Sequence, residues 1–165
     1  MKYPDFKVKK GGAISKGNGL YDDQLRMILK NKNNFGGIYP KDVLPELKKN
    51  YWYIVNMDNH TGDGTHYVCL KNTSPMIYFD PLIGGDPPIE IMKHAKKGIY
   101  YIDAEIQPIE STACGWYCCG LILFDNKGNS VSNLVKYANM FKGTANNNIH
   151  NDIILKEILK REGVI

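Results

Sequence analysis

The sequence predicts an α+β domain in which helices flank a central, mainly antiparallel sheet. Three observations lead to this class: a helical apolar pattern near the N-terminus, short β-rich segments in the middle third, and helical patterns through the last third. Helices and strands that are segregated along a chain are typical of α+β folds. A length of 165 residues suits one hydrophobic core, so we expect a single domain over residues 1–165.

The first third of the chain predicts one short helix behind an irregular arm. Residues 1–19 are rich in Lys and Gly and show little periodicity, so we expect a flexible basic arm there. Asp22 and Asp23 indicate a helix start, because acidic side chains favour the positive end of the helix dipole. Turn residues over 31–37 should end this helix, and we expect a further turn and a short helical piece near residues 43–47. The apolar stripe of the first helix consists of Leu25, Ile28 and Leu29.

Segments rich in aromatic and β-branched residues predict four strands, at residues 51–57, 66–71, 76–80 and 99–107. A tight polar turn separates the second strand from the third, which predicts an antiparallel hairpin. Alternation along the second strand places His66, Val68 and Leu70 on one face. The fourth strand would carry Gln107 at its end.

Helical patterns dominate the rest of the chain. Residues 89–96 predict a short helix that ends before Gly98. Residues 114–124 form an almost wholly apolar run, which predicts a buried helix. Apolar residues with helical spacing follow it, so we expect C-terminal helices within residues 131–165.

The composition indicates a protein of a reducing compartment that is neither secreted nor inserted in a membrane. No apolar run approaches the length of a transmembrane helix, and residues 1–10 are too charged for a signal peptide. The chain has four cysteines, and three of them fall within residues 114–119, where pairing along one helix is geometrically poor.

The formal net charge of +4 is unevenly distributed. Residues 1–50 contain eleven Lys and Arg against five Asp and Glu, whereas residues 51–113 contain four against eight. The basic first third could bind an acidic partner such as nucleic acid, although a solvated lysine surface is the more common explanation of such a pattern.

Cys114 stands where a polar turn changes into the apolar helix. A helix N-terminus offers unpaired N–H groups and a partial positive charge, and both favour a thiolate. Cys114 is therefore a candidate nucleophile. Cys118 and Cys119 lie deeper in the apolar run and are expected to pack in the core.

His66 and Asp80 are the candidate partners of Cys114. A nucleophilic cysteine needs a base, and the base needs an acceptor on its other ring nitrogen. His66 begins one strand of the predicted hairpin and Asp80 ends the other, so both should lie at the same end of the sheet. The backbone N–H of Cys114 and the side-chain amide of Gln107 could then stabilise an oxyanion.

The other histidines fit this role less well. His60 lies in the same region but in a loop, without a strand to hold it. His94 and His150 fall on expected helical segments without a nearby strand-borne carboxylate.

The linear order of these motifs resembles that of the adenovirus-protease-like cysteine peptidases. The matching residues are 64–68 (GTHYV), 78–81 (YFDP), and Gln107 seven positions before Cys114 and Gly115. This family is related to the SUMO proteases, and the motifs are most similar to those of capsid-maturation proteases from virophages, Maverick/Polinton elements and large DNA viruses. The resemblance spans about residues 35–125.

The resemblance implies a role for each matching residue. His66 would be the general base, Asp80 the residue that orients it, Cys114 the nucleophile at the N-terminus of a buried central helix, and Gln107 the oxyanion donor. Substrate-binding residues would be Gly64, Thr65, Tyr67, Gly115 and Trp116. The adenoviral enzyme has Glu at the position of Asp80, and the family usually has Trp at the position of Tyr67.

The resemblance also implies a biological role. Such an enzyme would cleave precursor capsid and virion proteins after Gly-Gly or Gly-X-Gly during virion maturation, through a thioester. It would act in the virion and the host-cell cytoplasm as a monomer that binds protein substrates. We expect no metal and no cofactor, and activation by a peptide or by DNA stays open. Self-processing at Gly11-Gly12-Ala13 is a further hypothesis.

Two alternatives to a maturation protease remain. The same catalytic residues would serve a deubiquitinase or SUMO-type isopeptidase that acts on host ubiquitin-like conjugates. A non-enzymatic zinc or nucleic-acid module could instead use Cys114, Cys118, Cys119 and a histidine, although their spacing lacks the paired cysteines typical of structural zinc sites.

Overall fold

A computed structural model describes residues 20–62, 66–82, 86–142 and 147–165. The predicted arm and its Gly11-Gly12 sequence lie outside these residues. The strands are β1 (Phe35–Pro40), β2 (Trp52–Asn56), β3 (Tyr67–Lys71), β4 (Met76–Phe79) and β5 (Ile99–Tyr100). The α-helices are α1 (Asp22–Leu29), α2 (Ile89–Met92), α3 (Cys114–Phe124), α4 (Ser130–Ala138) and α5 (Asn151–Arg161), with a 3-10 turn at Lys41–Val43. The protein is therefore an α+β fold, as the sequence predicts.

The sheet has five strands in the order β1-β2-β3-β4-β5 and is mixed. β3 pairs antiparallel with β2 and β4, whereas β1 pairs parallel with β2 and β5 pairs parallel with β4. The expectation of a mainly antiparallel sheet was wrong for the two outer pairs. In each of them the chain crosses over before it returns, as parallel pairing requires.

The predicted hairpin of β3 and β4 is confirmed. Cys69 lies opposite Phe79, and Leu70 lies opposite Tyr78. Continued by one residue, this register places Asp80 opposite Val68, on the face that His66 shares. The hairpin thus brings His66 and Asp80 to the same end of the sheet.

Strand β1 was not predicted, because its two glycines resemble a turn. A Cβ atom on Gly36 would lie 2.3 Å from the Tyr53 ring, so the glycine lets the neighbouring strand place an aromatic ring against the backbone. β1 lies at the edge of the sheet, and its last residue is Pro40. Proline has no backbone N–H to donate to a neighbouring strand, and an edge strand tolerates this loss.

The predicted strand at residues 99–107 was too long, because β5 ends at Tyr100. The backbone beyond it finds other partners. Asn148 Nδ2 donates to the carbonyl of Glu105 at 2.6 Å, and Asn151 Nδ2 donates to the carbonyl of Ile106 at 2.7 Å. Buried carbonyls that are satisfied by side chains need no neighbouring strand. The helical piece predicted near residues 43–47 is wrong in position, because the structure has a 3-10 turn at Lys41–Val43 instead. The helix predicted at 89–96 is shorter in the structure, as α2.

Helix α3 is the centre of the fold and has the bounds that the sequence predicts. It contacts β3 on one side and α1, α4 and α5 on the others. Nine of its eleven residues are buried, which explains why its apolar residues cover all sides. A second core cluster lies on the other face of the sheet and includes Tyr53, Val68 and Ile91.

Candidate active site

His66 and Asp80 form a hydrogen-bonded pair at the end of the β3–β4 hairpin. The distance from His66 Nε2 to Asp80 Oδ1 is 2.9 Å. The side chains are 14% and 6% exposed, so both are largely withdrawn from water. Asp80 Oδ1 also accepts the N–H of Leu82 at 3.0 Å, which fixes the carboxylate at the turn after β4.

Cys114 is the first residue of α3, and its thiol meets the imidazole of His66. Cys114 is 8% exposed, and its side chain lies near enough to His66 to raise the pKa of the imidazole. Because Nε2 of His66 faces Asp80, Nδ1 is the ring nitrogen that is left for the sulfur. The structure therefore brings together three of the predicted site residues in the order Asp80, His66, Cys114.

The environment of His66 favours its charged form. Burial lowers the pKa of its imidazole, but hydrogen bonds to Asp80 and Cys114 and the charges of both outweigh that effect and raise the pKa to about 9. An imidazolium at neutral pH lies beside the sulfur at the positive end of α3. A positively charged environment of this kind is typical of reactive cysteines.

Gln107, the fourth predicted residue, is buried beside this group and is 2% exposed. Its N–H donates to the carbonyl of Pro81 at 2.7 Å, which ties it to the residue after Asp80. Its side-chain Nε2 donates to the carbonyl of Ser111 at 2.6 Å, and its Oε1 has no hydrogen-bond partner among the described residues. An amide nitrogen has two hydrogens, so the contact with Ser111 leaves one of them free for another acceptor.

The residues predicted to bind substrate fall into different places. Gly64 and Thr65 lie outside the described residues. Tyr67 lines a cleft of about 450 Å³, and its hydroxyl donates to Asp22 Oδ1 in the first turn of α1. Tyr67 directly follows His66 along the chain.

Gly115 and Trp116, the other two residues predicted to bind substrate, lie inside the protein. Gly115 is buried, and a Cβ there would lie 3.1 Å from Leu25 Cδ2, so its lack of a side chain lets α1 pack against α3. Its backbone N–H stays a predicted substrate contact. Trp116 is 1% exposed and belongs to the main core cluster, and its contact with substrate stays a prediction.

The other cysteines lie in the core, as predicted. All four cysteines are free and buried. Burial raises the pKa of the Cys118 thiol, which lies beside Cys69, and that of the Cys119 thiol, so both stay protonated. Cys114 is thus the cysteine that combines a histidine partner with a helix N-terminus.

The other three histidines lie in other parts of the structure. His60 Nδ1 lies 2.5 Å from Asp42 Oδ2, and its side chain, which is 59% exposed, lines the same cleft as Tyr67. His94 follows α2, and His150 precedes the first turn of α5.

Sequence reasoning missed a group of buried polar residues behind the site, namely Ser111, Asn148, Asn151 and Asp152. All four are less than 10% exposed, and they hold the backbone that leads into α3. Asp152 reads in the sequence as an ordinary acidic residue in the first turn of a helix. Its position between two apolar residues, Ile149 and Ile153, gave no sign that it points inward.

Within the described residues, no group of three or more His, Cys, Asp and Glu side chains could hold a metal ion. The alternative of a zinc site on Cys114, Cys118 and Cys119 therefore has no support from their arrangement. In the same parts of the chain, none of the helices combines the length and the hydropathy that a membrane span requires.

Comparison with known proteins gives no family for the chain. No protein-family model matches the sequence, and no curated protein matches it either.

Proposed function

We propose that the protein is a cysteine endopeptidase with Cys114 as nucleophile, His66 as general base and acid, Asp80 as the residue that orients His66, and Gln107 as an oxyanion donor. The observation that carries the proposal is the position of His66, between Asp80 Oδ1 at 2.9 Å and the thiol at the start of α3. A nucleophile, a base and an orienting carboxylate in contact are the arrangement that acyl transfer requires.

The first half of the reaction acylates the enzyme. The Cys114 sulfur attacks the carbon of the scissile carbonyl, forming a C–S bond and pushing one electron pair onto the oxygen. The Cys114 N–H and a Gln107 Nε2 hydrogen stabilise this oxyanion. The C–N bond then breaks, and the imidazolium of His66 gives its proton to the leaving amine.

The second half hydrolyses the thioester. A water molecule loses a proton to His66 as its oxygen attacks the acyl carbon. The C–S bond breaks and its electron pair returns to the sulfur, which releases the acid and restores the starting ion pair.

The substrate proposal rests on the resemblance of the motifs around His66, Asp80 and Cys114 to those of viral maturation proteases. Precursor capsid and virion proteins would be cleaved after Gly-Gly or Gly-X-Gly during virion maturation, within the virion and the infected cell. Residues without side chains suit a nucleophile that is only 8% exposed, because a narrow approach excludes larger groups.

The proposal is tested by incubating the protein with peptides that contain Gly-Gly-X and with ubiquitin-like fusion proteins. The wild type should cleave after the second glycine, and Cys114→Ala should abolish cleavage. Cys118→Ala is the matched control, because it removes a thiol one turn further along the same helix and should keep the activity.

Cleavage that survives in Cys114→Ala, or the absence of any cleavage by the wild type, would overturn the proposal. Both classes of enzyme would use a Gly-Gly acyl group, so both substrates are offered. Cleavage of the fusions in preference to the peptides would favour the isopeptidase alternative. A Cys114→Ala protein whose intact mass shows the same N-terminus as the wild type would remove self-processing at Gly11-Gly12.

A further inference from the structure

The segment of residues 105–113, here called the Gln107 segment, connects the sheet to the start of α3. It has no regular secondary structure, although several of its residues are buried. Irregular backbone inside a protein needs hydrogen-bond partners from elsewhere. Those partners come from the beginning of α5, the last helix of the chain.

Asn148 and Asn151 hold the first half of the segment. Asn148 Nδ2 donates to the carbonyl of Glu105 at 2.6 Å and to that of Gln107 at 3.3 Å. Asn151, which is fully buried, donates to the carbonyl of Ile106 at 2.7 Å. Three consecutive carbonyls, up to that of Gln107, are therefore fixed by two side chains.

Asp152 holds the second half through Ser111. The Ser111 hydroxyl donates to Asp152 Oδ2 at 2.8 Å and accepts the N–H of Ala113 at 3.2 Å. Asp152 Oδ1 accepts the Tyr117 hydroxyl at 2.8 Å, so one fully buried carboxylate joins the segment to α3 itself. Ala113 is the residue that directly precedes Cys114 at the helix start.

Ser111 also determines the orientation of the Gln107 side chain. A carbonyl oxygen can only accept, so the Ser111 carbonyl requires the amide nitrogen of Gln107, and not its oxygen, to face it at 2.6 Å. Gln107 Oε1 has no hydrogen-bond partner among the described residues. A hydrogen bond to the oxygen therefore does not determine the orientation of the side chain. A buried oxygen without a partner costs free energy, which the contact with Ser111 must offset.

We propose that Asp152 and Ser111 are positioning residues for the oxyanion site. Asp152 fixes the Ser111 hydroxyl, Ser111 orients the Gln107 amide through its carbonyl and the start of α3 through its hydroxyl, and both oxyanion donors are placed as a result. This inference rests on the proposed peptidase function, and it assigns a role to the last helix, which lies outside the region of motif resemblance.

The test compares Ser111→Ala with Ser130→Ala. Each change removes a serine hydroxyl that donates to a buried aspartate, Asp152 near the start of α3 or Asp125 just after its end. Steady-state cleavage of a Gly-Gly peptide gives kcat and KM, and inhibition by the matching peptide aldehyde reports the oxyanion site, because its adduct with Cys114 places an oxygen there.

Ser111→Ala should lower kcat by about 10-fold to 10²-fold, less than the roughly 10²–10³-fold that follows removal of a donor. Aldehyde affinity should fall by a similar factor while KM stays within about 3-fold, since donors that act only on the transition state contribute little to substrate binding. Ser111→Thr, which keeps the hydroxyl, should restore most of kcat, and Ser130→Ala should match the wild type.

Alkylation of Cys114 by iodoacetamide separates this role from a general loss of structure. That reaction forms no oxyanion, so its rate should be the same in Ser111→Ala and in the wild type. If Ser111→Ala does not fold, Asp152→Asn provides the same comparison, because it keeps the size of the side chain and one acceptor oxygen.

Equal kcat values for Ser111→Ala and Ser130→Ala would overturn the inference and leave the proposed function intact. A parallel fall in the alkylation rate would also overturn it, because the effect would then lie on the sulfur. Absence of Cys114-dependent cleavage by the wild type would remove both proposals, and it is seen before any Ser111 variant is made.

Discussion

Opposing electrostatic effects act on the imidazole of His66. Burial disfavours its charge, yet Asp80 and Cys114 raise its pKa from 6.5 to about 9. A raised pKa means that the protonated form stabilises the fold, so this contribution is complete below pH 6.5 and is lost as the pH rises through about 9. The same proton is the one that the proposed mechanism transfers to the leaving amine.

The pH dependence of cleavage should report this proton. We expect kcat/KM to fall as the pH rises through about 9, because His66 then no longer supplies an acid. Asp80→Asn should move this alkaline limb to lower pH, since it removes the charge that holds the proton. The measurement is kcat/KM against pH for both proteins.

A matched control for that measurement is Asp42→Asn, which removes the carboxylate from the other histidine pair, at His60. Its alkaline limb should coincide with that of the wild type. An alkaline limb that is unchanged in Asp80→Asn would contradict the assignment of the raised pKa to the His66–Asp80 pair.

At the scale of one element, α3 is held in place by its small residues. A Cβ on Gly120 would lie 2.5 Å from the hydroxyl oxygen of Tyr137, which is fully buried and donates to the carbonyl of Tyr117 at 2.8 Å. The glycine therefore allows α4 to pack tightly against α3. The tight packing at Gly120 outweighs the advantage in helix propensity of about 1 kcal/mol that alanine has over glycine.

Gly120→Ala should destabilise the protein by about 1–3 kcal/mol, as expected for overpacking in a dense core. Tyr137→Phe alone should cost about 1 kcal/mol through its lost hydrogen bond. Urea denaturation of the double variant should give a loss smaller than the sum, because without the hydroxyl the nearest ring atom, Tyr137 Cζ, is 3.3 Å from the new methyl group.

Strict additivity of the two changes would contradict this account of Gly120. An alanine at the exposed position Lys136 of α4 provides the reference for a helix substitution without a packing conflict.

At the scale of the whole molecule, Asp125 joins the sheet to the helices. Its carboxylate accepts hydrogen bonds from Trp52 of β2 at 2.9 Å and from Lys71 of β3 at 2.8 Å, and also from Ser130 and Asn133 of α4. Burial raises the pKa of Asp125, but these donors outweigh it and lower the pKa below 3.8. The resulting stability is complete above pH 3.8 and is lost as the pH falls through the lowered pKa.

Asp125→Asn should therefore destabilise the protein by about 3–5 kcal/mol, because it leaves the ammonium of Lys71 inside the protein without its counter-charge. Lys71 is 12% exposed. Lys160→Ala is the control, since it breaks an exposed ion pair with Glu157 and should leave the free energy of unfolding almost unchanged. Equal losses of free energy of unfolding in the two variants would contradict the role of Asp125.

How much the sequence could predict depended on whether a residue's partners were local. The bounds of α3 and the hairpin that pairs His66 with Asp80 follow from apolar runs and alternation, so they were predicted. β1 was missed because the reason for Gly36 lies in Tyr53 of another strand, and residues 101–107 were assigned to a strand because their partners lie in α5. Gln107 was proposed as an oxyanion donor because it lies seven positions before Cys114. The contacts that fix its side chain could not be predicted from the sequence.

The attachment of the Gln107 segment to α5 has a consequence for the order in which the protein is made. Ser111 and Asp152 are 41 positions apart, and Asp152 follows every proposed catalytic residue along the chain. A nascent chain on the ribosome therefore contains the nucleophile and its base well before the residues that align the oxyanion donors. Under the proposed function, such a chain would cleave its neighbours more slowly until its last helix had emerged and folded back.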